Sequence, residues 1–174
     1  MTQKQKPRFE KKTEEQIWKE NRERISEIAL QHPECNGIPI FHFDGQYAFL
    51  SNFEPSPILV DGYSFENGEA AFQGFKDMTR IDDFATLRPS KAKQLGRQVT
   101  LRSDWESIKS DVMYKVVFAK FSQNEHLKKK LLETGDRLLV EGNWWNDKIW
   151  GIAGNKGENR LGEILMRVRK ELKK

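Results

Sequence analysis

The stretch SDWESIKSDVMYKVVFAKF, residues 103–121, does most to limit what this chain can become. Trp105, Ile108, Val112, Val116 and Ala119 recur at helical spacing, and an apolar stripe of that length has to be covered by other elements. Ser103 and Glu106 read as a capping box that opens the helix. With 174 residues there is enough chain to surround it with a single domain and a real core.

The surrounding pattern is mostly helical. Thr13 with Gln16 forms a second capping box, and Ile17, Trp18, Ile25, Ile28 and Ala29 mark one face of a helix ending near His32-Pro33. Residues 1–12 are polar and lack periodicity, which predicts a frayed tail. Ile38, Ile40, Phe41 and Phe43 suggest a short strand, and ILVDGYSF (58–65) a strand, an Asp-Gly turn and a strand. Asn67 caps a predicted helix running to about Met78, and SKAKQLG (90–96) another that stops at Gly96. Ser122 with Glu125 opens a further helix ended by Gly135, RLLVE (137–141) reads as a strand, and a last helix starts near Asn159. The expected fold is mainly α, an α+β arrangement with minor strands. Its body spans residues 37–174, and residues 1–36 form a tail and helical extension.

Composition narrows the chemistry. No apolar run reaches the length of a membrane span, and the N-terminus lacks a signal-peptide core. Cys35 is the only cysteine, so a reducing cytoplasm is expected and no intrachain disulfide can form. His32, His42 and His126 show no repeated ligand spacing, so no metal or cofactor is expected and chemistry rests on carboxylates, lysines and backbone dipoles. A formal charge of +4 permits an anionic ligand without requiring one.

Three stretches could carry that chemistry. In FENGEAAFQGFK (65–76), Glu69, Gln73 and Lys76 share one helical stripe, which by itself reads as a solvated face. Gly68 and Gly74 weaken such a helix and hint at close approach by another backbone or a ligand. In WWNDKIWG (144–151), three tryptophans flank Asp147, as in a stacking surface beside a carboxylate of raised proton affinity. In NDKIWGIAGNKGENRLG (146–162), glycines precede a helix start, where free amides favour a phosphate. Lys156 is followed by Gly157, so this is no Walker A loop. Lys156 either binds phosphate as a point charge or serves as an amine that attacks an opened sugar at C1. Arg160 in the first helical turn is at the wrong end for the dipole, which argues for a nearby anion.

Taken in order, FLSNFEP, FENGEAAFQGFK, AKQLGRQ, DWESIKSDVMYKVVFAKF, LLVE, DKIWG and GNKGENRLGEILMRVR resemble the NADAR/YbiA-like family over roughly residues 38–174. The resemblance implies a compact, mainly helical N-glycosidase. One branch of the family cleaves phosphoribosyl-amine intermediates of riboflavin synthesis, and another removes ADP-ribose from guanine in nucleic acid. It implies Glu69, Asp147 and Lys156 as catalytic residues, with Lys156 as the reacting amine. It implies Asn52, Phe53, Gln73, Trp105, Trp150 and Gly151 as substrate-binding residues, and Asn159, Arg160 and Gly162 as further ones. Gly68 stands where the family often has serine, and Ala70-Ala71 replace larger residues. Those small residues imply a wider pocket and lean the expected partner toward an ADP-ribosyl group, on DNA or RNA.

Overall fold

The described residues, 10–174, of the computed structural model form six α-helices and one hairpin. The predicted tail of residues 1–12 falls mainly outside them. The elements are α1 (Glu14–Gln31), β1 (Pro55–Val60), β2 (Tyr63–Asn67), α2 (Gly68–Gly74), α3 (Pro89–Leu95), α4 (Trp105–Gln123), α5 (Glu125–Glu133) and α6 (Arg160–Leu172). Short 3₁₀ turns at Gly45–Leu50 and Met78–Phe84 join them.

Helix α4 is the axle of the fold, packed by α6, β1, α2 and α5. Its buried positions, Trp105, Val112, Met113, Val116, Val117, Ala119, Lys120 and Phe121, run nearly all round it, as expected of a helix enclosed by its neighbours. Lys120 is fully buried and donates to the carbonyl of Ser51 at 2.6 Å, fixing the chain just before Asn52. The Ser103/Glu106 box does not form. Arg102 occupies both oxygens of Asp104, Glu106 pairs with Lys109, and the helix starts at Trp105. The Ser122/Glu125 box also fails, because α4 runs on to Gln123, whose amide pairs with both backbone groups of Leu59 at 2.8 Å.

The hairpin matches its sequence signal. Asp61 and Gly62 both take positive φ, the two-residue turn that suits the strand twist. Ser56, Ile58 and Val60 alternate inward from β1 toward α4. Asn67 ends β2 and caps α2 by accepting from the amide of Ala70 at 2.8 Å. The capping box of Thr13 and Gln16 forms, and α1 buries Ile17, Ile25 and Ile28.

The two other predicted strands survive only as bridges. Ile40 pairs in parallel with Leu139, and Gly142 pairs in parallel with Ile152. Residues 139–143 are therefore held between two neighbouring segments, which aims the stretch after Glu141 at the face of α2.

Candidate active site

Helix α2 presents Glu69, Phe72 and Gln73 to a cavity of about 580 Å³, and Lys76 follows one turn on. The stripe read as a solvated face is in fact buried, with Glu69 and Gln73 each under 10% exposed (7% and 6%). The backbone of Asn52 accepts from the Glu69 amide at 3.0 Å, bringing Asn52 and Phe53 to the same cavity. Gly68 permits this approach: a Cβ there would meet Asn52 Oδ1 at 3.2 Å and Val116 at 3.3 Å. Ala70 and Ala71 do not widen the cavity as expected. Both are fully buried in the core and neither lines it.

Gln73 donates to Glu69 Oε1 at 2.9 Å, which holds the carboxyl in place. Burial raises the Glu69 carboxyl above the ordinary range, against the opposing pull of Lys93, the Gln73 bond and Lys76. Burial likewise lowers the Lys76 ammonium below the ordinary lysine value, with Glu69 opposing. The Lys76 Nζ lies 6.0 Å from the Phe72 ring centre and 5.9 Å from that of Trp105. Trp105 itself packs behind Phe72, with centroids 5.1 Å apart, and does not line the cavity.

The opposite wall comes from residues 141–150. Asp147 Oδ1 accepts from the amides of Ile149 and Trp150 at 3.0 and 2.9 Å, tightening the turn that presents Trp150. Trp150 meets Phe72 edge-on at 5.2 Å. Trp144 and Trp145 line the rim, as do Lys93 and Arg97 from α3 and the segment following it. Glu141 lines the cavity too, and no sequence reading gave it a role. Burial, reinforced by repulsion from Asp147, pushes its carboxyl up to about 8.

The glycine loop does something else. The amides of Glu158, Asn159, Arg160 and Leu161 donate to the carbonyls of Lys148, Gly151, Ile149 and Trp150. Those four amides are thus taken up by the chain's own carbonyls and are not free for a phosphate. Asn159, fully buried with φ +55°, uses its side chain as a peptide mimic: Oδ1 accepts from the Glu141 amide and Nδ2 donates to the Leu139 carbonyl, both at 3.0 Å. Gly162 is needed because a Cβ would lie 2.2 Å from the Leu139 oxygen, and Gly151 because one would lie 2.2 Å from the Glu141 oxygen. Arg160 pairs with Glu158 and Ser110.

Lys156 is exposed on a turn closed by Ala153. The turn is stitched to α1 through Asn155 with Asn21 and Gly157 with Arg24. No residue from Gly151 to Arg160 lines the cavity. Of the expected site residues, the structure therefore brings together Glu69, Asp147, Asn52, Phe53, Gln73 and Trp150. It sets aside Lys156, Trp105, Gly151, Asn159, Arg160 and Gly162 as contacts with a ligand in this cavity, the last four being near or within the clamp on Glu141.

Among the described residues, His32, Glu34 and Cys35 place metal-ligating atoms within 4.8 Å of one another, beyond α1 and not on the cavity. No helix among them is long and apolar enough to cross a membrane.

Residues 40–173 match the NADAR domain. This chain belongs to the NADAR family. It is 39% identical over 141 residues to the N-glycosidase YbiA of Shigella flexneri serotype 5b, covering 78% of this chain and 88% of that one. It is 42% identical over 161 residues to the chloroplastic riboflavin biosynthesis protein PYRR of Zea mays, covering 80% of this chain but 26% of that longer one. The NMR structure of the E. coli protein YbiA superposes with a TM-score of 0.69 at 36% identity, covering 80% of this chain and 89% of that one. This NADAR protein is thus an enzyme of the N-glycosyl hydrolase class, built on a YbiA-like, mainly helical single-domain fold.

Proposed function

We propose that this NADAR protein hydrolyses the bond between ribose C1 and an amine nitrogen, and that it takes an ADP-ribosyl group from guanine in nucleic acid. The observation that carries this reading is the gathering of Glu69, Asp147 and Lys76 around one aromatic-walled cavity. Loss of the amine leaves positive charge on C1 and the ring oxygen, and a carboxylate beside them stabilises it. Glu69, oriented by Gln73, takes that part, and Asp147 completes the acidic wall.

The reacting amine proposed for Lys156 passes to Lys76, which lies on the cavity and is desolvated. As the bond from C1 to the base nitrogen breaks and the base leaves as its protonated amine, Lys76 Nζ adds to C1 and gives up a proton. The ring of this glycosyl-lysine then opens, its oxygen taking a proton, to a C1=Nζ imine, which water hydrolyses to free the sugar and the lysine. Lys93 and Arg97 are placed to meet phosphate. At the mouth, Phe53 and Trp145, 44% and 41% exposed, offer stacking faces to a base. Residues 37–174 form the catalytic body in this reading and residues 1–36 its extension, in keeping with a family match that starts at residue 40. The single cysteine suits a reducing compartment such as the cytoplasm.

The second reading is cleavage of phosphoribosyl-amine intermediates of riboflavin synthesis, favoured by the name of the Zea mays relative. One experiment separates them: incubate the protein with DNA ADP-ribosylated on guanine and with a phosphoribosyl-aminopyrimidine, and follow released base by mass. Release from the DNA is expected. Release from the pyrimidine alone selects the second reading, and both ligands returned intact would mark a binding module without turnover.

A further inference from the structure

Glu141 is the cavity carboxyl that neither the family resemblance nor the comparisons assign. Its main chain is pinned on both sides: its amide donates to Asn159 Oδ1 at 3.0 Å and its carbonyl accepts from the Ile152 amide at 2.9 Å. The next residue, Gly142, donates to the Phe41 carbonyl at 2.9 Å. The buried Asn159 and the bare faces of Gly151 and Gly162 thus serve to fix this one position. By contrast, the side chain makes no hydrogen bond to any described residue and faces the cavity.

We propose that Glu141 is the proton donor to the leaving nitrogen. This rests on the N-glycosidase reading above. As the bond from C1 to the base nitrogen breaks, its electron pair stays with nitrogen, the Glu141 proton joins it, and the amine departs neutral. The water that later enters at C1 returns a proton to the Glu141 carboxylate.

The other carboxyls are less suited. Glu69 is engaged by Gln73, and Asp147 Oδ1 is engaged by two amides. The charges that act on Glu141 are Asp147 on its own loop, Lys93 on α3 and Glu69 on α2. Lys76, Arg97, His42 and Asp44 line the same cavity. Burial and the two carboxylates outweigh Lys93, so the carboxyl keeps its proton at neutral pH, with a value of about 8. A required acid is active below that value and fails above it, so kcat/KM falls on the alkaline side.

The test compares wild type, Glu141→Gln and Glu69→Gln on the ADP-ribosylated DNA, the phosphoribosyl-aminopyrimidine and a ribosyl 5-phosphate bearing 4-nitrophenolate, which leaves without a proton. Glu141→Gln is expected to slow whichever amine substrate the wild type cleaves by roughly 10²–10⁴-fold. It should also erase the alkaline limb and release nitrophenolate within about threefold of wild type. Glu69→Gln slows both kinds of substrate. Because wild type holds a carboxyl in a site hostile to its ionised form, Glu141→Gln also melts higher than wild type at pH 8.5, which checks its folding. A Glu141→Gln enzyme with normal amine cleavage overturns the assignment, as does one that loses both substrates equally. Should the variant fail to fold, a wild-type profile flat from about pH 7 to 9 overturns it. A wild type that splits neither amine substrate overturns the N-glycosidase reading itself.

Discussion

Helix α2 and the glycine loop at 151–162 share one sequence feature, glycines beside polar residues, yet they play opposite parts. On α2, the polar side chains of Glu69 and Gln73 face the cavity, and Gly68 lets Asn52 come close behind them. In the loop, Lys156 and Arg160 do not line the cavity, and the glycines let three backbone segments lie against one another. Glycine spacing alone reports close approach. Which neighbour approaches, a ligand or the chain's own carbonyls, decides whether the segment is a site or a scaffold.

Substitutions can break or sharpen that contrast. The largest effect is expected at Glu69→Gln: roughly 10²–10⁴-fold lower turnover with an unchanged melting curve shape, since the amide preserves size and the Gln73 contact can re-form. Near-normal kinetics would remove the α2 face from the site. Next comes Gly96→Ala. Gly96 has an ordinary helical φ, so alanine suits its backbone, but the new Cβ would lie 1.9 Å from Gln73 Oε1. Gln73 must shift from Glu69, and the rate should fall by up to about 100-fold while stability changes little. A variant with wild-type kcat would show that the Gln73 bond is idle.

In the scaffold the expectation turns to stability. Gly162→Ala would press a methyl group on the Leu139 carbonyl and cost about 1–3 kcal/mol, read by urea or thermal unfolding. The smallest effect is expected at Lys156→Ala, within about twofold of wild type in activity and about 0.5 kcal/mol in stability, because the side chain is exposed and off the cavity.

How far the sequence could be read follows the same division. Period within a regular helix maps residues onto one face, so Glu69, Gln73 and Lys76 share one stripe in the sequence as in the structure. Period alone does not say which side they face, because a stripe of polar residues looks the same toward water and toward a polar cavity; the family resemblance is what points Glu69 and Gln73 to the site. The Asn67 cap and the Asp61-Gly62 turn were legible because both depend on neighbours a few residues away. The two failed capping boxes depended on competitors, Arg102 for Asp104 and the β1 backbone for Gln123, which local spacing does not reveal. Asn52 and Phe53 were reached only through the family resemblance. Glu141 carried one signal: a lone acid ending the apolar run LLV, where burial of the run would drag a carboxyl inside. Asn159 and the loop glycines could not be interpreted without knowing that their partner was the backbone of residues 139–141.

The central claim is that the reacting amine belongs to the α2 side of the cavity and not to the glycine loop. Borohydride reduction during turnover, followed by peptide mapping of the modified lysine, tests it most directly. A sugar adduct on Lys76, lost in Lys76→Ala and kept in Lys156→Ala, is the predicted result; an adduct on Lys156 would contradict the account.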